Sequence, residues 1–173
     1  MGLDNYPSPL PCSKKKFREK YGIPFIPKKD VERLSVGELL KRLHLPNNKK
    51  NREWVKAAKK DGYVIINCEL CPFKKLRKSI GLLIWHRYCW IRGKVYEYIF
   101  EGMNSGFTLY KERIGVGELK KMREFLTKLS EKKIEKIADR EEVDVREVKK
   151  DVKYLVKYFD LLIEAKVDLV GWW

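Results

Sequence analysis

The sequence contains no Gln, only two Thr and only two His in 173 residues. Neither His44 nor His86 stands beside a Ser in a strand-to-helix elbow, so a Ser-His-Asp hydrolase triad has little support. A phosphate-binding Walker loop is missing, and so is a glycine-rich dinucleotide fingerprint after a strand. These absences count against the common hydrolases, nucleotidases and dehydrogenases.

Long apolar runs are also lacking. No stretch approaches the roughly 18 to 20 apolar residues that a membrane span needs. The start MGLDNYPSPLPC has neither a basic nor an apolar region of the kind found in signal peptides. We therefore expect a cytoplasmic protein that does not enter a membrane.

What the chain has in excess is charge, at 36% of its residues. Abundant Lys and Glu together with the loss of amide side chains is typical of hyperthermophile proteins. Cytosolic cysteines normally stay reduced, but hyperthermophiles are an exception to that rule. The composition therefore leaves disulfides possible in this chain.

The positive charge is unevenly distributed. Residues 1–100 hold 23 Lys and Arg against 9 Asp and Glu, whereas the near-neutral residues 101–173 hold 16 against 15. Such asymmetry is typical of a surface that meets phosphates, although a solvated basic face would show it too. The predicted nucleic-acid contacts are Lys14, Lys15, Lys16, Lys74, Lys75, Arg77 and Lys78. Tyr63, Phe73 and Trp54 are candidates for base stacking if exposed, or for the core if not.

The length of 173 residues, with 44% hydrophobic residues, predicts a single domain over residues 1–173. Short local signals predict its first elements. Ser35 and Glu38 form a capping box ahead of an apolar helix face. Asp61 with Gly62 marks the end of the next helix, and the β-branched run that follows predicts a strand over 63–66.

Two longer patterns predict helices further along. Apolar residues at three- and four-residue spacing over 81–102 predict one buried helix. Two apolar seams, Leu119 to Leu129 and Val145 to Leu162, predict helices joined by a short polar turn. The predicted fold class is therefore α+β and helix-rich, with a small sheet of few strands and a C-terminal antiparallel helix pair.

The order of several short pieces is also informative. They are Met1 to Tyr6, a helix from Tyr88 to Glu101, Gly106-Phe107, the terminal helices and Trp172-Trp173. In these pieces the chain resembles a family of short phage and prophage proteins that begin MGLD and end in an aromatic tail. The resemblance implies an α+β fold and viral ancestry, and it implies no activity. The basic segments and the CELC stretch depart from the family pattern.

The four cysteines carry the most specific local signal. Cys68 and Cys71 stand three apart, which predicts a tight turn, and His86 and Cys89 stand three apart on the predicted helix, with 14 residues between the pairs. Both pairs suit a tetrahedral zinc ion, and Cys12 is an alternative ligand in place of His86. The predicted metal ligands are therefore Cys68, Cys71, His86 and Cys89, with zinc as the ion.

Other interpretations of the cysteines stay open. Cys68 could form a disulfide with Cys12 or Cys89, and buried thiols also occur as small core residues. Four thiolates could hold an iron–sulfur cluster, although the spacing matches neither common ferredoxin run.

Three classes of function follow from these features. The first is a nucleic-acid-binding protein with a structural Cys/His site, and the second is a protein-interaction or structural protein of viral origin. The third is a metal-dependent nuclease with Asp61 and Glu69 at the ends of the predicted strand. The Lys usually found two residues after such a Glu is replaced by Cys71. No catalytic residue is predicted, and an enzyme is the least favoured of the three.

Overall fold

The computed structural model describes residues 4–76, 89–101, 103 and 105–172. Its chain divides into two compact units, which are described separately. Residues 12–71 form the basic unit, and residues 1–11 with 72–173 form the helical unit. In chain order the elements are β1 Asp4–Ser8, α1 Lys15–Tyr21, β2 Phe25–Ile26, α2 Lys28–Arg33, α3 Val36–Arg42, α4 Lys49–Asp61, β3 Ile65–Ile66, α5 Pro72–Leu76, α6 Gly93–Tyr96, β4 Arg113–Ile114, α7 Val116–Thr127, α8 Glu131–Glu141, α9 Val145–Ala165 and β5 Asp168–Trp172.

Local signals set the helix ends in the basic unit. The Ser35 hydroxyl accepts a hydrogen bond from the Glu38 backbone N–H, and the Glu38 carboxylate accepts one from the Ser35 N–H. This is the predicted capping box, and it starts α3. Gly62 ends α4 in the left-handed region at φ +65°, a conformation that glycine adopts without steric cost.

The core of the basic unit lies between its helices and a two-stranded sheet. β2 pairs antiparallel with β3, which places Ile26 opposite Ile65. Trp54 and Ala58 of α4 pack against this core from the side. The buried core residues are Ile26, Val31, Leu34, Leu39, Leu40, Leu43, Val55 and Ile65.

The helical unit combines a small sheet with the C-terminal helices. In the described residues, β5 lies between β1 and β4 and pairs antiparallel with both. Helix α9 packs against α7 and α8. Its buried face carries Val148, Val152, Leu155, Tyr158, Phe159, Leu162 and Ala165.

The predicted fold class is confirmed: the protein is helix-rich α+β with a small sheet, and α7 with α9 forms the C-terminal helix pair. The turn predicted between these two helices contains a further helix, α8. It forms because Ile134, Ile137 and Ala138 share one buried face at helical spacing. Among the described residues, no helix is both long enough and apolar enough to cross a bilayer.

The predicted helix over 81–102 is wrong for residues 89–92. Ile91 forms an antiparallel bridge with Asn5, with N–H to carbonyl distances of 2.8 and 2.9 Å. Backbone groups used in this bridge are not available for helical hydrogen bonds, so α6 begins only at Gly93. The part of the prediction over 81–88 lies outside the described residues.

Glu97 is a buried carboxylate in the helical unit. One carboxylate oxygen accepts a 2.6 Å hydrogen bond from the Leu109 N–H, and the Leu109 carbonyl accepts one from the Asn5 side chain at 3.1 Å. Burial raises the pKa of Glu97, against the lowering effect of hydrogen bonds from Thr108 and Leu109. Folding therefore favours the protonated form of this side chain more than the unfolded chain does.

We expect Glu97→Gln to raise the melting temperature at pH 7 and to flatten its fall with rising pH. Because the pKa of Glu97 is raised on folding, its contribution to stability is complete below the unfolded pKa and is lost as the pH rises through the folded pKa. Thermal melts from about pH 4 to pH 8 measure this dependence, with the exposed Glu112→Gln as the control. A melting curve that shows the same pH dependence in Glu97→Gln and wild type would contradict the assignment.

Candidate nucleic-acid interface and cysteine cluster

Three of the four cysteines converge in the basic unit. The Cys12 and Cys71 sulfurs are 3.3 Å apart, and both side chains are buried. Hydrogen bonding to Cys68, then hydrogen bonding to Cys71 and burial, raise the pKa of the Cys12 thiol. We call Cys12, Cys68 and Cys71 the cysteine cluster.

The backbone around CELC explains how two of these thiols are presented together. Residues Cys68–Leu70 form one turn of 3-10 helix, and the Cys71 N–H donates to the Cys68 carbonyl at 3.0 Å. The Asn67 side chain caps this turn by accepting from the Glu69 N–H at 3.0 Å, and it donates to the Leu43 carbonyl at 2.7 Å. The C-x2-C spacing therefore predicted a real tight turn, and the tertiary fold adds Cys12 to it.

The predicted metal ligands have different positions in the structure. Cys68 and Cys71 come together, Cys89 is buried in the helical unit, and His86 lies outside the described residues. The Cys89 carbonyl accepts a 2.6 Å hydrogen bond from the Tyr158 hydroxyl. The four-ligand set therefore stays a prediction.

The cluster as it stands is a group of thiols in contact. None of the four cysteines, all within the described residues, forms a disulfide. In the same part of the chain, no three Cys, His, Asp or Glu side chains are arranged to hold a metal ion. Two thiolates on a tetrahedral zinc lie about 3.8 Å apart, given Zn–S bonds of about 2.3 Å. The Cys12 and Cys71 sulfurs would therefore have to separate by roughly 0.5 Å to share an ion.

A concave, positively charged surface lies next to this cluster in the basic unit. It is a cavity of about 490 Å³ between α1, the segment that leads into β2, and the end of α3. We call it the cationic groove. Its lining residues are Lys15, Arg18, Glu19, Gly22, Ile23, Pro24, Phe25, Arg42 and His44.

The charges in the groove are mainly cationic. Lys15 pairs with Glu19 at 3.7 Å, an exposed contact of little energetic weight. Arg42 forms a 2.9 Å ion pair with Asp30, and about half of the Arg42 side chain remains exposed to solvent. The groove therefore presents more positive than negative groups to solvent.

Arg18 joins the groove to the cysteine cluster. One guanidinium nitrogen donates to the carbonyls of Cys12 and Ser13, at 3.1 and 2.6 Å. The guanidinium carbon lies 3.9 Å from the centre of the Phe25 ring, which is a cation–π contact. The planar head of Arg18 is thus held in one place by two carbonyls and an aromatic ring.

A second cavity of about 390 Å³ shares Pro24 and His44 with the groove. His44 follows α3 in the left-handed region, at φ +54°, and its side chain is exposed. The shared residues make the two cavities neighbours along one face of the basic unit. The remaining lining residues of the second cavity are Leu45, Pro46, Asn51, Asn67, Glu69 and Leu70.

The basic residues predicted to contact phosphates are divided between the two units. Lys15 and Lys16 are exposed on α1 and Lys14 is half-buried at its start, all three in the basic unit. Lys74 is half-buried and Lys75 is exposed, both on α5 of the helical unit. Arg77 and Lys78 lie outside the described residues. Of the five predicted contacts that the structure describes, Lys15 alone lines the cationic groove.

Sequence reasoning missed the part that Arg42, His44 and Phe25 play in this groove. One signal was available: Lys15 and Arg18 are three residues apart, so a helix of about two turns over KKKFREKYG would place them on one face. Of the predicted stacking candidates, Phe73 is fully buried, Trp54 packs on the core, and Tyr63 is exposed away from the groove lining.

The two acidic residues considered for a nuclease are both on the surface of the basic unit. Asp61 is the last residue of α4, and Glu69 lies in the turn between the two cysteines. The strand between them is shorter than predicted and covers only Ile65–Ile66.

A function for this protein is inferred from its fold and its site alone. In comparisons with known proteins, no family model, no curated protein and no solved structure matches this chain.

Proposed function

We propose that this protein binds nucleic acid through its basic unit. The observation that carries the proposal is the cationic groove, where Lys15, Arg18 and Arg42 line one concavity. Phosphate groups are recognised by Lys and Arg side chains, and Arg offers planar, two-pronged hydrogen bonding.

Charge supports the same proposal. Residues 12–71 hold 16 Lys and Arg against 7 Asp and Glu. Lys14 and Lys16 are the chain neighbours of Lys15 and add positive charge to the same helix segment. A phosphate backbone that follows the groove would meet the three cations that line it, Lys15, Arg18 and Arg42.

The experiment that tests the proposal measures affinity against salt. We expect a fluorescently labelled oligonucleotide to bind at low salt, with little dependence on its sequence. With about three phosphates neutralised, affinity for a single strand should fall about twentyfold between roughly 50 and 200 mM salt. An anisotropy titration that shows no binding at the lower salt concentration would refute the proposal.

The cysteine cluster has a structural part in this proposal. Cys12, Cys68 and Cys71 come from the two ends of the basic unit, so a zinc ion held by them would fasten both ends together. A zinc ion would supply stability here, and with Cys12 in place of His86 the predicted fourth ligand is Cys89. Support for zinc comes from three converging sulfurs and from the tight C-x2-C turn.

We expect protein purified without added metal to contain about one zinc per chain, and Cys12→Ser to lose it. Elemental analysis measures the zinc, and a melt with and without a chelator measures its effect on stability. Cys89→Ser is the informative companion, because it loses zinc only if Cys89 is the fourth ligand beside Cys12, Cys68 and Cys71. A wild-type protein that lacks metal and ignores chelators would end the zinc proposal.

A further inference from the structure

We propose that the ligand of the cationic groove is single-stranded nucleic acid, with an unpaired base stacked at Arg18 and Phe25. This inference rests on the proposed function and narrows it to one class of nucleic acid. Its basis is the geometry of the Arg18 head, the shape of the groove and the position of His44.

The Arg18 guanidinium is a flat surface that is held in place before a ligand binds. Its guanidinium lies over the Phe25 ring at 3.9 Å and is tied to the Cys12 and Ser13 carbonyls. Bases stack on guanidinium planes as well as on aromatic rings. Because the side chain is already ordered, little rotamer entropy is lost when a base stacks on it.

The shape of the groove favours unpaired bases. Phe25 is half-buried in the lining of a cavity of about 490 Å³. In a duplex the base faces are covered by their neighbours and cannot stack on Phe25 or Arg18. A single strand can turn its bases onto these side chains while its phosphates face Lys15 and Arg42.

The His44 imidazole is a second flat ring in the lining of the groove, in addition to the Phe25 ring. Its exposed imidazole lies in the lining shared by the groove and the cavity of about 390 Å³. A strand that places one base at Phe25 can therefore place a neighbouring base towards His44. Lys15 and Arg42 line the same groove and supply the positive charge for the phosphates of such a strand.

The test compares one labelled 15-nucleotide strand with its duplex, using the whole chain and its variants. We expect wild type to bind the single strand at least about tenfold more tightly than the duplex. Phe25→Leu keeps an apolar side chain but removes the ring, so single-strand affinity should fall roughly 5- to 150-fold. Duplex affinity should change less than about twofold, since it reports phosphate contacts alone.

Two further variants keep the test independent of folding. Arg18→Lys preserves the charge and removes the planar face, so single-strand affinity should fall while the salt dependence stays the same. Tyr63→Leu is the matched control, because Tyr63 is an exposed aromatic residue that does not line the groove and its replacement should change nothing.

Equal affinity for single strand and duplex would overturn the inference and leave the proposed function standing. So would unchanged single-strand affinity in both Phe25→Leu and Arg18→Lys. Absence of any binding at low salt would refute the proposed function itself.

Discussion

Replacing Lys15 and Arg42 by Gln in one variant is expected to weaken single-strand binding roughly 25-fold at about 0.1 M salt. Both side chains line the cationic groove, from opposite elements, α1 and α3. Each phosphate contact to a single strand adds about 0.7 to the dependence of log affinity on log salt. The slope should therefore fall by about 1.4 in this variant.

The fall in affinity and the change in salt slope are two independent measurements on this variant. A variant that had simply lost its fold would lose binding at every salt concentration, whereas lost phosphate contacts change the slope in a defined way. Gln keeps a long polar side chain, and the exposed ion pairs with Glu19 and Asp30 contribute little to stability. Far-UV circular dichroism should therefore match wild type.

The control for this variant takes two lysines from α8, Lys132→Gln with Lys136→Gln. Both are exposed in the helical unit, and the substitutions remove the same total charge. We expect affinity to fall less than about threefold, because neither side chain lines the cationic groove. Equal losses in the two double variants would mean that general charge, and not the groove, binds the oligonucleotide.

Leu39→Ala is expected to have the largest effect on stability, at about 3 kcal/mol. Leu39 is fully buried in α3, among the eight core residues of the basic unit. Truncation removes apolar contacts and leaves a cavity that a close-packed core closes only in part. A core of this size stabilises the folded state only marginally, so this substitution should unfold much of the basic unit.

Hydrogen exchange read by mass spectrometry locates that loss. Peptides from residues 12–71 should exchange faster by roughly a hundredfold, the factor that about 3 kcal/mol produces. Val64→Ala serves as the control because Val64 is largely exposed, and its exchange should match wild type. Unchanged protection in Leu39→Ala would show that the described packing of α3 is wrong.

The two predictions are linked through the structure of the groove. Arg42 is the last residue of α3, so the packing of Leu39 in the same helix positions one wall of the groove. Leu39→Ala should therefore lower oligonucleotide binding as well. The molecules that remain folded should keep the wild-type dependence of log affinity on log salt.

Predictions from local sequence succeeded where the physical cause is also local. The Ser35 capping box, the Gly62 stop and the C-x2-C turn each depend on residues within a few positions of one another. Amphipathic spacing similarly identified α7 and α9, since a helix buries residues three and four apart on one face. The excess of positive charge before residue 100 was visible from composition alone.

Predictions failed where a distant segment competes for the backbone. The helix expected through residues 89–92 is replaced by a bridge from Ile91 to Asn5, and β1 pairs with β5 across most of the chain. No local pattern near residue 91 contains that partner. Helix α8 was missed because its short apolar face lies within a strongly charged stretch.

The sequence by itself determined a basic, helix-rich α+β chain with a tight turn at CELC and a candidate role in binding phosphates. Only the tertiary structure decided which residues meet. It brings Cys12 within 3.3 Å of Cys71, and it places Arg18 over Phe25 in one groove with Arg42 and His44. Cys12 and Cys71 are 59 residues apart in the chain, and their contact depends on how the helices between them pack. Packing of this kind is decided by the shapes of all the buried side chains together, and local spacing does not contain it.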